Sequence, residues 1–321
     1  MGIVSVTNLK KTFGDFTAVD DISFDIQKGE IFGFLGPNGA GKTSTINMLI
    51  GLSRPSGGAI SINNIDGIKD IKKAQRIMGI VPDESNLYDE MDGFDNLCFC
   101  ASLYGMRKDD REKRASELLE QFNLKSAGKR PFRAYSKGMR RKLAIAAGII
   151  HNPDILFLDE PTTGIDVESA RQIRSLILDM KRRGTTVFLT THYIEEAQRI
   201  CDRVAFIVSG KIVKTDTVEA LMENTENEHI LKLTLNKSAG GIKDELQRDF
   251  PNLRIEPKDE NICFITSDEK IALLPILQYL DNRGISVFEA KEIRPTLEDV
   301  FVRVTGIETG KLQKEKEGRR K

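Results

Sequence analysis

The chain has 321 residues, more than one typical domain uses and comfortable for two. Apolar residues make up 40% and charged residues 30%, which allows a large core beneath a soluble surface. Lys plus Arg equals Asp plus Glu at 48 each, and this balance argues against a general nucleic-acid binder, which carries a basic excess. No uncharged run exceeds about a dozen residues, well short of the ~20 a membrane-spanning helix needs, so the chain is not expected to cross a bilayer by itself. Met1 to Lys11 alternates apolar and polar residues and lacks the apolar stretch of a signal peptide, so residence in the cytoplasm is expected. Cys98, Cys100, Cys201 and Cys263 include no Cys-x-x-Cys pair and His is scarce. Four free thiols are therefore expected, rather than a zinc site or a disulfide framework.

Taken in order, residues 3–9 and 22–27 read as short alternating strands around the turn chemistry of Gly14-Asp15. Ile31 to Leu35 is a continuous apolar run, as in a strand buried on both faces, and a helix is expected from Lys42 to about Leu52. Ser53 to Gly58 breaks it and Ala59 to Ile65 reads as strand. From about Asp92 to His151 the pattern is helical, with Ala115, Leu118, Leu119 and Phe122 on one apolar face. Ile155–Leu158 and Thr186–Thr190 are strands separated by a helix over about 167–183, and Val204–Val208 with Lys211–Lys214 forms a hairpin turning at Ser209-Gly210. Strands alternating with helices imply a mainly parallel sheet, with a helical insert between its halves.

Asn224 to Glu228 is polar and reads as a linker into a second domain. There, strands at His229–Leu235, Leu253–Glu256, Ile262–Thr266 and Ile285–Ala290 enclose helices at Ile242–Phe250 and Ile271–Leu280. That order, β-α-β-β-α-β, is the ferredoxin-like split motif. A last helix over Thr296–Val304 precedes a charged tail expected to be disordered. The resulting division is a first domain over 1–224 with a helical subdomain at about 85–151, an accessory domain over 225–306, and a basic tail over 307–321.

Two motifs carry chemistry on their own residues. Gly36-Pro37-Asn38-Gly39-Ala40-Gly41-Lys42-Thr43 matches G-x-x-x-x-G-K-[ST], after a predicted strand and at the start of a predicted helix. Glycines let backbone N–H groups curl around phosphate oxygens, and a helix N-terminus adds positive potential. Lys42 is expected at the β and γ phosphates and Thr43 on Mg²⁺. Ile155-Leu156-Phe157-Leu158-Asp159-Glu160-Pro161 is an apolar strand ending in two carboxylates. Asp159 is suited to Mg²⁺, and Glu160 to orienting and deprotonating an attacking water. Together the two motifs describe a nucleotide triphosphatase.

Three further stretches carry a resemblance. Tyr135-Ser136-Lys137-Gly138-Met139 opens a helix and resembles the ABC signature, usually Leu-Ser-Gly-Gly-Gln. Ser136 is a sensible N-cap there. Gly164-Ile165-Asp166 lies where an ABC D-loop does, and His192 where the switch histidine does. Residues 3–224 thus resemble the ATP-binding cassette family. The resemblance implies an α/β P-loop cassette, with a mainly parallel sheet core, an antiparallel β part and a helical subdomain. It implies ATP hydrolysis with ATP and Mg²⁺, and catalytic roles for Glu160, His192 and Lys42. Nucleotide contacts are implied at Phe13, Gly36, Pro37, Asn38, Gly39, Ala40, Gly41, Lys42, Thr43, Ser44, Ser136 and Gly138, and metal contacts at Thr43, Asp159 and Asp83. Phe13 stands at the adenine-stacking position, against the alternative of a core Phe. Asp83 stands where the family usually has Gln; near Mg²⁺ it is a candidate ligand, near the γ-phosphate it would repel, and Glu84 is the alternative.

One set of motifs implies a second cassette, in a homodimer or with a sister subunit. A separate integral membrane permease is implied as the partner, docked on about Ser85 to Tyr104. Tyr135 to Met139 and the Pro295–Phe301 stretch resemble single-cassette exporters of the drug-resistance and ABC-2 type, held at the cytoplasmic face of the membrane. The alternative is a soluble ABC ATPase that remodels a ribosome or DNA-repair complex. No nucleic acid is expected as a partner.

Overall fold

The computed structural model describes residues 2–84, 87–226, 229–293 and 296–307. Ser85, Glu228, Pro295 and the basic tail from Lys311 lie outside them. The chain divides into two compact units, Met1–Val218 with Val304–Lys321, and Glu219–Arg303.

The first unit opens with a hairpin of β1 (Val4–Phe13) and β2 (Phe16–Ile26). It is longer than the strands expected over 3–9 and 22–27. Register shifts between Val6 and Leu9, and again before Lys11 and Thr12, interrupt the period-two alternation that marks a strand in sequence. There follow β3 (Ile31–Leu35), α1 (Lys42–Leu49), β4 (Gly57–Ile62), β5 (Ile65–Asp66), α2 (Ile71–Ala74) and β6 (Met78–Val81). Helix α1 stops at Leu49 rather than Leu52, because Gly51 turns left-handed at φ 79°. Asn63 and Asn64, at φ 48° and 64°, split the strand expected over Ala59–Ile65 into a tight hairpin, β4 and β5. The helical part is α3 (Gly93–Leu103), α4 (Lys108–Gln121) and α5 (Lys137–Gly148), and the expected face of Ala115, Leu118, Leu119 and Phe122 is buried. Then come β7 (Ile155–Asp159), α6 (Val167–Arg182), β8 (Thr186–Thr191), α7 (Ile194–Ile200), β9 (Arg203–Val208) and β10 (Lys211–Thr217).

These strands make two sheets, one of order β2-β1-β4-β5 and antiparallel, the other of order β10-β9-β3-β8-β7-β6. In the second, only the β9–β10 pair is antiparallel. Strands β3, β7 and β8 are buried at every residue, which is why they read as continuous runs of apolar and β-branched residues rather than as alternation. The two sheets share one core. Phe24 of β2 lies 5.7 Å from Phe32, 5.5 Å from Phe34 and 6.3 Å from Phe188, ring centroid to centroid, and Phe188 reaches Phe157 at 5.7 Å.

Helix α8 (Val218–Glu226) takes up residues 224–226 of the expected linker. A run of polar residues does not distinguish a helix end from a linker, and the division between units falls at 218/219 rather than 224/225. The second unit continues with β11 (His229–Leu235), α9 (Lys243–Asp249), β12 (Arg254–Pro257), β13 (Ile262–Ser267), α10 (Leu273–Asp281), β14 (Val287–Ile293) and α11 (Leu297–Thr305). Its sheet is antiparallel, of order β12-β13-β11-β14. Leu231, Leu233 and Leu235 of β11 pack with Leu246 of α9 and Ile276 and Leu280 of α10. Helix α10 starts at Leu273 rather than Ile271, with Pro275 in its first turn, where a missing N–H costs nothing.

Phe188 touches the faces of both sheets of the first unit. Its replacement by Ala is expected to cost about 3–5 kcal/mol. Urea unfolding of the two proteins measures this, and a loss under about 1 kcal/mol would contradict the shared core.

Candidate functional site

Four neighbouring parallel strands, in the order β3-β8-β7-β6, end on the same edge of the sheet. In open α/β sheets ligands bind beyond the carboxyl ends of the strands. Gly36 follows β3, His192 follows β8, Asp159 closes β7 with Glu160 directly after it, and Pro82 and Asp83 follow β6. Strand register sets Asp159 beside Thr190 and Leu35 beside Thr191. The sheet therefore delivers the residues that the sequence had scattered over more than 150 positions into one cluster.

The loop Gly36–Thr43 turns directly from β3 into α1. Gly39 and Gly41 are left-handed, at φ 78° and 107°. A Cβ on Gly36 would lie 2.1 Å from the Ile207 carbonyl oxygen, and one on Gly41 would lie 2.6 Å from that of Ala18. Only glycine fits either position. Helix α1 has no side-chain cap and no acidic residue in its first turn, so its leading N–H groups favour an anion. Lys42 is 6% exposed and donates to the carbonyl oxygens of Gly36 (2.8 Å) and Pro37 (3.1 Å). Thr43 and Asn38 are exposed, and Ser44 is half-buried.

Glu160 is the centre of the cluster. Its Oε1 stands 3.5 Å from Lys42 Nζ. Its Oε2 accepts from Thr163 Oγ1 at 2.9 Å and pairs with His192 Nδ1 at 2.9 Å. An ionised carboxylate only accepts, so Nδ1 carries the proton and donates it. Burial pushes the Glu160 carboxyl up, but the His192 hydrogen bond and the charge of Lys42 outweigh this and hold it below the usual range. Asp159 goes the other way. Burial raises its carboxyl, and a hydrogen bond from Thr190 Oγ1 offsets only part of that. Glu160 also sits at φ 48°, left-handed for a residue with a side chain, which costs on the order of 1–3 kcal/mol. Its N–H is held by the Thr190 carbonyl oxygen at 3.1 Å.

The cluster fits a nucleotide with a hard cation. A raised, buried carboxyl at Asp159 together with the exposed Thr43 hydroxyl is an oxygen-only donor pair of the kind Mg²⁺ takes beside phosphate. Among the described residues no group of three or more His, Cys, Asp or Glu side chains forms a complete metal cage. Phosphate oxygens would complete the coordination.

Other predicted positions sit apart or have other partners. Phe13 is 55% exposed, with Lys11 Nζ 4.7 Å above its ring, so it is no core residue. Asp83 pairs with Arg141 at 3.1 Å. Ser136 caps α5 by accepting from the Met139 N–H at 3.3 Å, and Asp166 caps α6 by accepting from Ser169 at 2.8 Å. Gly138 packs on α6, where a Cβ would come within 2.2 Å of Ser169 Oγ. The partners of these residues are thus Lys11, Arg141, Met139 and Ser169. Sequence reasoning missed Thr163, Thr190 and Arg141. No motif singles them out, since the hydrogen bonds of Thr190 and Arg141 form only once strand register and helix packing bring distant segments together, and that of Thr163 only in the turn after β7.

The depressed carboxyl of Glu160 has a consequence for stability. Above the ordinary glutamate value of 4.5 the group is ionised in both folded and unfolded chains, and its native partners stabilise fully. As pH falls through the lower native value, that stabilisation is lost. The stability difference between wild type and Glu160→Gln, from urea unfolding at matched pH, is therefore expected to shrink on acidification below 4.5. A difference independent of pH would count against the depressed carboxyl.

Comparison with known proteins agrees with this geometry. The ABC transporter family matches over residues 19–163. The linearmycin resistance ATP-binding protein LnrL of Bacillus subtilis is 32% identical over 306 residues, covering 95% of this chain and 98% of that protein. The doxorubicin resistance ATP-binding protein DrrA of Mycobacterium tuberculosis is 35% identical over 309 residues, covering 94% and 93%. Among solved structures, an ATP-binding cassette in a dimeric post-hydrolysis state with ADP and Pi superposes with a TM-score of 0.62 at 26% identity, covering 67% of this chain and 98% of that one. A fold with the loop Gly36–Thr43, Asp159, Glu160 and His192 on one sheet edge, and full-length relatives of this kind, place the chain in the family of ABC transporter ATP-binding proteins.

Proposed function

We propose that this chain binds and hydrolyses ATP to drive a separate membrane permease of an exporter, through ATP-dependent pairing of two cassettes. The convergence of Lys42, His192 and Thr163 on the Glu160 carboxylate carries the reading. The backbone N–H groups of Gly36 to Thr43 hold the phosphates, with Pro37, Asn38, Gly39, Ala40 and Ser44 shaping the cradle, and Lys42 neutralises the β and γ oxygens. Thr43 and Asp159 would hold Mg²⁺, which would supply further charge neutralisation on the phosphates. Glu160, ionised at neutral pH, takes the proton of the attacking water, while His192 and Thr163 fix its direction. The exposed ring of Phe13 offers a stacking face for adenine. With its side chain on Arg141, Asp83 is the least engaged of the three metal candidates.

Ser136 and Gly138 are proposed to act on the nucleotide of a second copy; Ser136 caps the N-terminus of α5, where leading N–H groups favour an anion. Tyr88 and Phe99, edge-to-face at 5.2 Å, and Leu103 are exposed apolar side chains within the segment assigned to permease docking. No helix among the described residues is long and apolar enough to cross a membrane, so the permease is a separate chain in this reading. The names of the relatives, which refer to linearmycin and doxorubicin resistance, favour outward transport of a small molecule and a place at the cytoplasmic face of the membrane. For the second unit, the order β-α-β-β-α-β and a sheet with β11 and β13 at its centre support a ferredoxin-like accessory domain that regulates or dimerises.

Glu160→Gln is expected to keep ATP affinity, lower turnover by about 100-fold or more, and elute as an ATP-bound dimer in size exclusion. Wild-type turnover in that variant would refute the base assignment. Leu103→Glu is expected to release the chain from membranes carrying its permease while ATP hydrolysis in solution persists. Undiminished membrane retention would refute the docking face.

A further inference from the structure

We infer that Arg141 is a positioning residue that ties the Pro82-Asp83 turn to the backbone of Glu160, and so sets the aim of the catalytic carboxylate. The inference rests on the ATPase reading above. Arg141 lies in the second turn of α5 and is 8% exposed. A guanidinium taken that far from water needs its donors satisfied. Its Nη1 donates to the Pro82 carbonyl oxygen at 2.7 Å. Its Nη2 donates to the Asp83 carbonyl oxygen at 2.6 Å, to Asp83 Oδ1 at 3.1 Å, and to the Glu160 carbonyl oxygen at 3.3 Å. One side chain on the signature helix thus holds the ends of β6 and β7 together.

The contact at Glu160 matters because of the backbone there. A left-handed residue with a side chain persists only where its surroundings fix both flanking peptide groups. The Thr190 carbonyl oxygen holds the Glu160 N–H. Arg141 holds the Glu160 carbonyl on the other side of the same Cα. Between them they define the direction in which the side chain leaves the strand, toward Lys42 and His192. Rotation about either bond would swing the carboxylate off the line of the attacking water, and displacements of about 1 Å can cost about 100-fold in rate.

The Asp83 carboxylate gives the same arginine its counter-charge. A planar fork with several fixed donors makes these simultaneous contacts, which a lysine ammonium does not reproduce.

Steady-state ATPase assays on the full chain test this, with thermal melts to score folding. Arg141→Met is expected to lower kcat by about 100-fold while KM for ATP stays within about 3-fold. Arg141→Lys is expected to recover part of the loss, because it keeps one charged donor. Asp83→Asn keeps every backbone acceptor and is half-exposed, so it folds; a fall of about 10-fold in kcat is expected. A folded Arg141→Met with wild-type kcat, or a loss confined to KM, would overturn the inference. If Arg141→Met does not fold, wild-type kcat in Asp83→Asn overturns it instead. Absence of Lys42-dependent turnover in the wild type would overturn the ATPase reading itself, and this inference with it.

Discussion

Lys42 and Glu160 are both nearly buried, and each is tolerable there because of the other. An isolated charge in a protein interior carries a desolvation cost that only pairing and hydrogen bonding offset. The pair is 3.5 Å apart, with the Gly36 and Pro37 carbonyl oxygens around the ammonium and His192 and Thr163 around the carboxylate. Everything else in the first unit serves to bring these groups to one place. The order β3-β8-β7 puts the strand that precedes Lys42 two places from the strand that ends in Glu160, with the strand leading to His192 between them. A change of strand order would separate the three without altering any local motif.

The cradle around the pair depends on the absence of side chains as much as on their presence. Gly36 and Gly41 each admit backbone from a neighbouring segment, at Ile207 and Ala18. The turn Ser209-Gly210 reinforces this from outside. The Gly210 N–H donates to the Ala40 carbonyl oxygen at 2.9 Å, and its own carbonyl accepts from the Asp20 N–H at 2.8 Å. The phosphate loop is thus clamped between β2 and the β9–β10 hairpin. A loop braced in this way loses little entropy on binding an anion, since its conformation is already set.

Two carboxylates adjacent in sequence take opposite electrostatic characters. Glu160 has His192, Thr163 and Lys42 and is held ionised; Asp159 has mainly the Thr190 hydroxyl and is raised by burial. A pair of titratable groups whose surroundings separate their pKa values is a common sign of divided roles. Such a separation suits Glu160, with its cationic and hydrogen-bonding partners, to the role of base proposed above, and Asp159 to that of proposed metal ligand. Arg141, behind both, carries its charge into the same low-dielectric region and attaches it to the backbone rather than to the reacting groups.

The sequence by itself determined the element types, the phosphate loop, the acidic strand end and the family. Each of these is written in local periodicity or in a contiguous motif, and local patterns survive without knowledge of what packs against them. It misjudged β1 and β2, where register shifts hide the alternation, and it read the polar end of α8 as linker. It could not reach Thr190, Thr163 or Arg141, whose roles come from strand register and helix packing. Nor did it show that Asp83 faces a guanidinium, because the two residues are 58 positions apart and meet only when α5 lies behind β6 and β7. Tertiary structure decided which charges are buried together, and burial is what turns an ordinary lysine, glutamate and histidine into a site.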